Sequence, residues 1–147
     1  MSHDGIATAE HLTLAGATRV LDAALAAARE MGRSFCIAVT DPSGEPIVTV
    51  RMDGAPRMSA GIAADKAFSV CGFNGMPTHR WWDAIKDEPA LAEGMTHTPR
   101  LVVFGGGVGI KSDDALVGAI GVSGGSSAED LAVAKAGAAS MVDESTG

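Results

Sequence analysis

A turn with almost no side chains, Ser123-Gly124-Gly125, joins an apolar run to a helix-start signal. Residues 119–125 read Ala-Ile-Gly-Val-Ser-Gly-Gly, a strand closing into that turn. Ser126 or Ser127 then caps a helix, with Glu129 or Asp130 three residues on as the capping-box partner. Strand, glycine turn and helix N-terminus aim backbone N–H groups outward with nothing in front of them. This unit fixes one strand-turn-helix segment and is the best site geometry in the chain.

Hydrophobic period extends the reading along the chain. Leu14, Ala17, Leu21, Ala24, Leu25, Ala28 and Met31 follow a 3.6 repeat, predicting a helix over 13–31 that Gly32 stops. Ser34 to Thr40 reads as a buried strand, Asp41-Pro42-Ser43-Gly44 as a hairpin turn and Glu45 to Met52 as the returning strand. A second helix is predicted over 57–73, and a short one over 77–86 with Pro77 at its first position. Pro89 and Pro99 bracket a loop or short helix around Leu91. Strands follow at 100–104, 108–111 and 115–122, and a last helix at 127–142. The order α-β-β-α-α-β-β-β-α, with hairpin-length turns, implies an α+β fold with an antiparallel sheet flanked by helices.

A chain of 147 residues with 46% hydrophobic content predicts one domain. Its expected span is 13–143, after a flexible tail over 1–12 in which His3 and His11 are discounted. No apolar run is long enough to span a membrane. Neither a basic n-region nor an apolar h-region opens the chain, so the expected compartment is the cytoplasm. A net charge of −7 argues against nucleic acid and anionic membranes as partners. Cys36 and Cys71 fit no metal-ligand spacing and read as free thiols in apolar elements.

Three charged residues stand out. Period 2 puts Arg51 on one side of the second strand, with Asp53 on the same side just beyond its end. They form either a rim ion pair or a carboxylate-binding corner. Lys66 emerges from an apolar helix face among Ile62, Ala63, Ser69 and Val70. It either snorkels or sits in a pocket whose anion is Asp53 or a ligand. His79, Trp81 and Trp82 cluster after Pro77-Thr78, and His97 precedes Pro99. The Trp pair either anchors this irregular segment or lines a flat ligand. The two histidines lack accompanying Cys or carboxylate ligands, so no metal site is expected. Gly105-Gly106-Gly107 is neither a P-loop nor a Rossmann fingerprint and reads as a bulge or close backbone contact able to line a pocket.

Taken together, these segments resemble the GlcG/HbpS-like family, whose domain is often labelled haem-degrading. The matching pieces are Ala38-Val39-Thr40-Asp41 with Gly44, Arg51-Met52-Asp53-Gly54-Ala55, Ser59, and Ala64-Asp65-Lys66-Ala67. Pro77-Thr78, Gly105-Gly106-Gly107 and 118–125 with Asp130 complete them in order. The resemblance implies a five-stranded antiparallel sheet with helices on both faces, assembled as a dimer or larger homo-oligomer. It implies haem as cofactor, with haem-degrading activity in some members, and it matches Thr78 to a haem-contacting threonine. Between 79 and 98 this chain departs from the family pattern.

Two functional readings follow. In the first the protein binds haem, with His79 or His97 on the iron, the Trp pair, Trp82 included, against the ring and Thr78 beside it. In the second it acts on a small organic acid. Arg51, Asp53 and Lys66 then surround the substrate, and backbone N–H groups at Gly106, Gly107, Gly124 or Gly125 hold an oxyanion. In either case the segment 76–98 is expected to meet a partner subunit.

Overall fold

The structure is a computed structural model that describes residues 4–142; residues 1–3, His3 among them, and the expected domain end at Asp143 lie outside the described residues. The elements are α1 (Leu14–Met31), β1 (Cys36–Thr40), β2 (Pro46–Arg51) and α2 (Ser59–Gly72). After a 3-10 turn (Thr78–Arg80) come α3 (Trp81–Ile85), α4 (Pro89–Met95), β3 (Gly107–Ser112), β4 (Ala115–Ser123) and α5 (Ser127–Ala139). One antiparallel sheet in the order β2-β1-β4-β3 carries helices on both faces, an α+β fold. Leu12 is buried and its N–H donates to the Val117 carbonyl at 2.9 Å.

Among the described residues the sheet has four strands, not the expected five. The segment at 100–104 fails to form one. Arg100, directly after Pro99, takes a left-handed φ of 65°. The Val102 N–H then donates to the Ser69 hydroxyl of α2 at 2.9 Å. With a backbone donor committed to a helix side chain, this stretch lies on α2 instead of pairing along β3.

The register divides the sheet into two unlike faces. Ile37 pairs with Val50 and Val122, and Val39 with Val48 and Ile120, so the branched residues share one face. That face packs on α1 and α5 in the main core. Here α1 contributes Ala17, Val20, Ala24 and Ala28, while Leu14 and Met31 of the expected stripe are exposed. The small side chains are chosen by close contact with α5, where a Cβ on Gly137 would lie 3.1 Å from the Val20 carbonyl.

The opposite face carries Cys36, Ala38 and Thr40 of β1 beside Ala119, Gly121 and Ser123 of β4. Removing bulk there lets the backbone of α2 descend onto the sheet. A Cβ on Gly121 would run into the Ala63 carbonyl oxygen and lie 2.8 Å from the Ala67 nitrogen. Gly121→Ala is therefore expected to cost about 1–3 kcal/mol or more in urea denaturation, because backbone rather than a side chain must move. Gly61→Ala in the same helix is the control. It is exposed, an added Cβ would meet nothing within 4 Å, and it is expected to raise stability by up to about 1 kcal/mol.

Candidate functional site

Lys66 is fully buried, and its anion is Asp130 of α5 rather than Asp53. Its Nζ donates to Asp130 Oδ2 at 2.9 Å and to the Val122 carbonyl at 2.8 Å. Asp130 Oδ1 accepts the Gly125 N–H at 2.9 Å. The Ser123-Gly124-Gly125 turn thus gives its amide to a protein carboxylate. Ser126 and Glu129 form the capping box, leaving Asp130 free to turn inward. The lysine reaches across because Gly106 has no side chain. A Cβ there would lie 2.6 Å from Lys66 Nζ and 3.0 Å from Asp130 Cβ.

Burial pulls the Lys66 ammonium below the ordinary lysine value and pushes the Asp130 carboxyl above the usual carboxylate value. Their mutual attraction and hydrogen bond oppose both shifts. One further contact leads outward: Lys66 Nζ lies 5.0 Å from the centroid of the Phe104 ring.

Phe104 is half exposed and walls a cleft of about 520 Å³. His79 and Trp82 line it from the 3-10 turn and α3, Val103 and Gly105 from the approach to β3, and Ser127, Ala128 and Leu131 from α5. Its size falls within the range of about 300–1,000 Å³ typical of small-molecule sites, and its walls are largely apolar and aromatic. Two neighbouring tryptophans divide the roles that the sequence left open. Trp81 is buried with its ring edge-on to Phe73 at 4.6 Å, and Trp82 is half exposed in the cleft.

His79 makes no hydrogen bond at either ring nitrogen among the described residues, and its Nδ1 is buried. Burial, then the nearby Lys135 and Arg80 charges, hold its pKa below the ordinary histidine value. The imidazole is therefore neutral at neutral pH and keeps a lone pair available to a metal.

The remaining expected site residues lie elsewhere. Arg51 and Asp53 are exposed and join no ion pair among the described residues, so no Arg51–Asp53–Lys66 cleft forms. Its premise was local spacing, whereas the true partner of Lys66 is 64 residues away. His97 is exposed in the turn after α4 and lies off the cleft. Thr78 is fully buried, and its Oγ1 accepts the Gly107 N–H at 2.9 Å. Gly106, Gly107, Gly124 and Gly125 are not in the cleft wall; they serve close backbone packing and the Asp130 bond. Phe104 was hidden in the sequence as the end of an expected strand. Among the described residues no group of three or more His, Cys, Asp or Glu is placed to hold a metal ion. No helix there is long and apolar enough to cross a membrane.

Lys66→Met leaves the Asp130 carboxylate buried without its cation. The expected loss is about 3–5 kcal/mol in chemical denaturation at neutral pH. The sign of its pH dependence follows from the folded-state carboxyl holding a proton that the unfolded chain releases near 3.8. Without Lys66 that carboxyl is raised further. The deficit of the variant relative to wild type is therefore expected to widen as pH rises from about 4 towards neutrality. A deficit that is constant with pH would show that Asp130 does not feel the lysine.

Comparison with known proteins agrees with this architecture. The family described as haem degrading protein HbpS-like matches residues 12–139. An uncharacterized 15.0 kDa protein from the dhaT-dhaS intergenic region of Citrobacter freundii is 33% identical over 125 residues, 84% of this chain and 87% of its own length. The corrinoid adenosyltransferase PduO of Salmonella typhimurium is 30% identical over 120 residues, 81% of this chain, but the match spans only 35% of PduO. Among solved structures, a double mutant of HbpS from Streptomyces reticuli superimposes with a TM-score of 0.84 at 33% identity, covering 97% of this chain and 95% of the other. A complex of PduOC with haem gives 0.81 at 28% identity, covering 88% and 94%. This chain belongs to the HbpS-like family.

Proposed function

We propose that this protein binds haem in the cleft between α3, the 103–105 segment and the start of α5. The observation that carries the reading is His79: a neutral imidazole without a hydrogen-bond partner, on the wall of an aromatic cleft. A half-buried imidazole with an unused nitrogen is costly unless something completes it. Bound haem would bring an iron that His79 would hold through one imidazole nitrogen, and that metal would supply redox chemistry. Trp82 and Phe104 supply aromatic wall against which the macrocycle would pack, and Val103, Ala128 and Leu131 would exclude water around it. The family and the haem complex of the PduOC relative support the same ligand. The organic-acid reading loses its support, since its Arg, Asp and Lys do not gather.

The test is a haemin titration followed by absorbance. A sharpened Soret band is expected, and His79→Ala is expected to shift it, while His97→Ala leaves it unchanged. Trp82→Ala should weaken binding about tenfold through loss of one ring contact. A spectrum of free haemin with excess protein would sink the reading. Bleaching of the band under air with ascorbate marks a degrading enzyme, and persistence marks a binder. The expected homo-oligomer belongs to the same proposal, with Trp82 and Leu91 exposed along 76–98. Light scattering that gives a monomer mass at micromolar concentration removes it.

A further inference from the structure

The chain has 11 Lys and Arg against 18 Asp and Glu, yet three of its cations meet at one place. A second cleft, of about 420 Å³, is lined by Arg80, Lys111 and Lys135, with Pro77, His79 and Val142 among its other walls. The three come from separate elements, the 3-10 turn, β3 and α5, so folding rather than sequence proximity assembles them. No acidic residue lines this cleft, and none of the three cations joins an ion pair among the described residues. Like charges held together repel, a cost that a bound anion removes.

The two clefts adjoin. His79 lines both. They also share one side of α5. Ala128 and Leu131 wall the aromatic cleft, and Lys135 and Ala138 wall the cationic one, at spacings of three and four residues that place them on a single stripe. From Leu131 to Lys135 the helix rises about 6 Å, well within the span of one macrocycle with side arms. A flat ring beside Trp82 and Phe104 thus has fixed positive charge within reach on one flank.

We propose that this second cleft seats the carboxylate arms of the ligand whose ring occupies the first, so that the protein selects a dicarboxylate tetrapyrrole over an uncharged one. The inference rests on the haem reading and adds the polarity of the ligand to it. It sets the direction in which the ring enters, with its acidic edge towards Lys111 and Lys135. It also separates haem from flat ligands of similar size that carry neutral amides.

Haemin and its dimethyl ester differ only in those carboxylates, so the pair isolates the contribution of the arms. Both are titrated by absorbance into the wild type and into Arg80→Gln/Lys111→Gln/Lys135→Gln, with circular dichroism as the check on folding. The wild type is expected to prefer haemin about tenfold, the preference shrinking as salt is added. The triple variant is expected to bind both at the affinity of the ester and to keep the His79-dependent Soret shift. Equal affinity of the wild type for haemin and ester overturns the proposal and leaves the haem reading standing. So does a preference that survives in a folded triple variant. Binding of neither compound overturns both readings. If the compounds bind equally while succinate binds the wild type and not the variant, the cleft holds a separate small anion and the proposal falls. Should the variant fail to fold, the wild-type comparison alone decides.

Discussion

The Lys66–Asp130 pair is the interaction on which the rest of the site depends. Its two members belong to helices on opposite faces of the sheet, and they meet around the start of β3 through the space left by Gly106. The same ammonium holds the Val122 carbonyl, and the same carboxylate holds the Gly125 amide. One buried cluster therefore ties α2, the end of β4, the glycine turn and the first turn of α5. Such a pair is a poor source of stability, because both charges lose their hydration. Its value is positional: any movement of α5 relative to α2 leaves an unpaired buried charge. The cleft is mounted on this cluster, with Ser127 and Ala128 a few residues before Asp130 and Phe104 over the ammonium.

Opposite that rigid wall stands a segment with little regular structure, and its precision has a different origin. Residues 78–82 alternate between anchoring and exposure. Thr78 is pinned to the Gly107 amide and Trp81 packs edge-on against Phe73, so both are committed to the interior. His79 and Trp82, each the next residue along, are turned to the cleft. Gly105 completes the arrangement by slipping between them and α5, where a Cβ would lie 3.0 Å from the Ser127 carbonyl and 3.4 Å from His79 Cβ. Two buried anchors hold two accessible side chains, which is how an irregular loop presents a defined surface.

Local physics made much of this readable in the sequence. The first helix and its glycine stop, the hairpin after Thr40 and the capped helix after Gly125 all follow from spacings of a few residues, and all form. What local spacing misses is competition at a distance. The apolar run 101–104 has strand composition, but Ser69 takes its amide. Lys66 was visible as a cation on an apolar helix face, and Asp130 only as one of two candidates for the capping box. Nothing within a short window says that they pair across the sheet. The nearer carboxylate, Asp53, was the natural guess, and the fold leaves it in solvent. The structure resolves that choice: Glu129 satisfies the helix cap by itself, which leaves Asp130 without a local task and free to meet the anion requirement of a buried lysine.

Charge links the ring cleft to its cationic neighbour. Arg80 and Lys135 lie near enough to His79 to disfavour its protonated form, on top of the effect of burial. An imidazolium has no lone pair and cannot ligate iron, so if His79 serves as proposed, these cations favour the form that can ligate. On the proposed reading, those charges therefore act on both parts of one ligand. They hold the iron-binding group neutral and attract the carboxylates beside it. In a chain whose net charge is −7, a general attraction for anions is not available. Selection of an acidic ligand then requires cations gathered at the site itself, and Arg80, Lys111 and Lys135 are gathered there by the turn, the strand and the helix that also build the cleft.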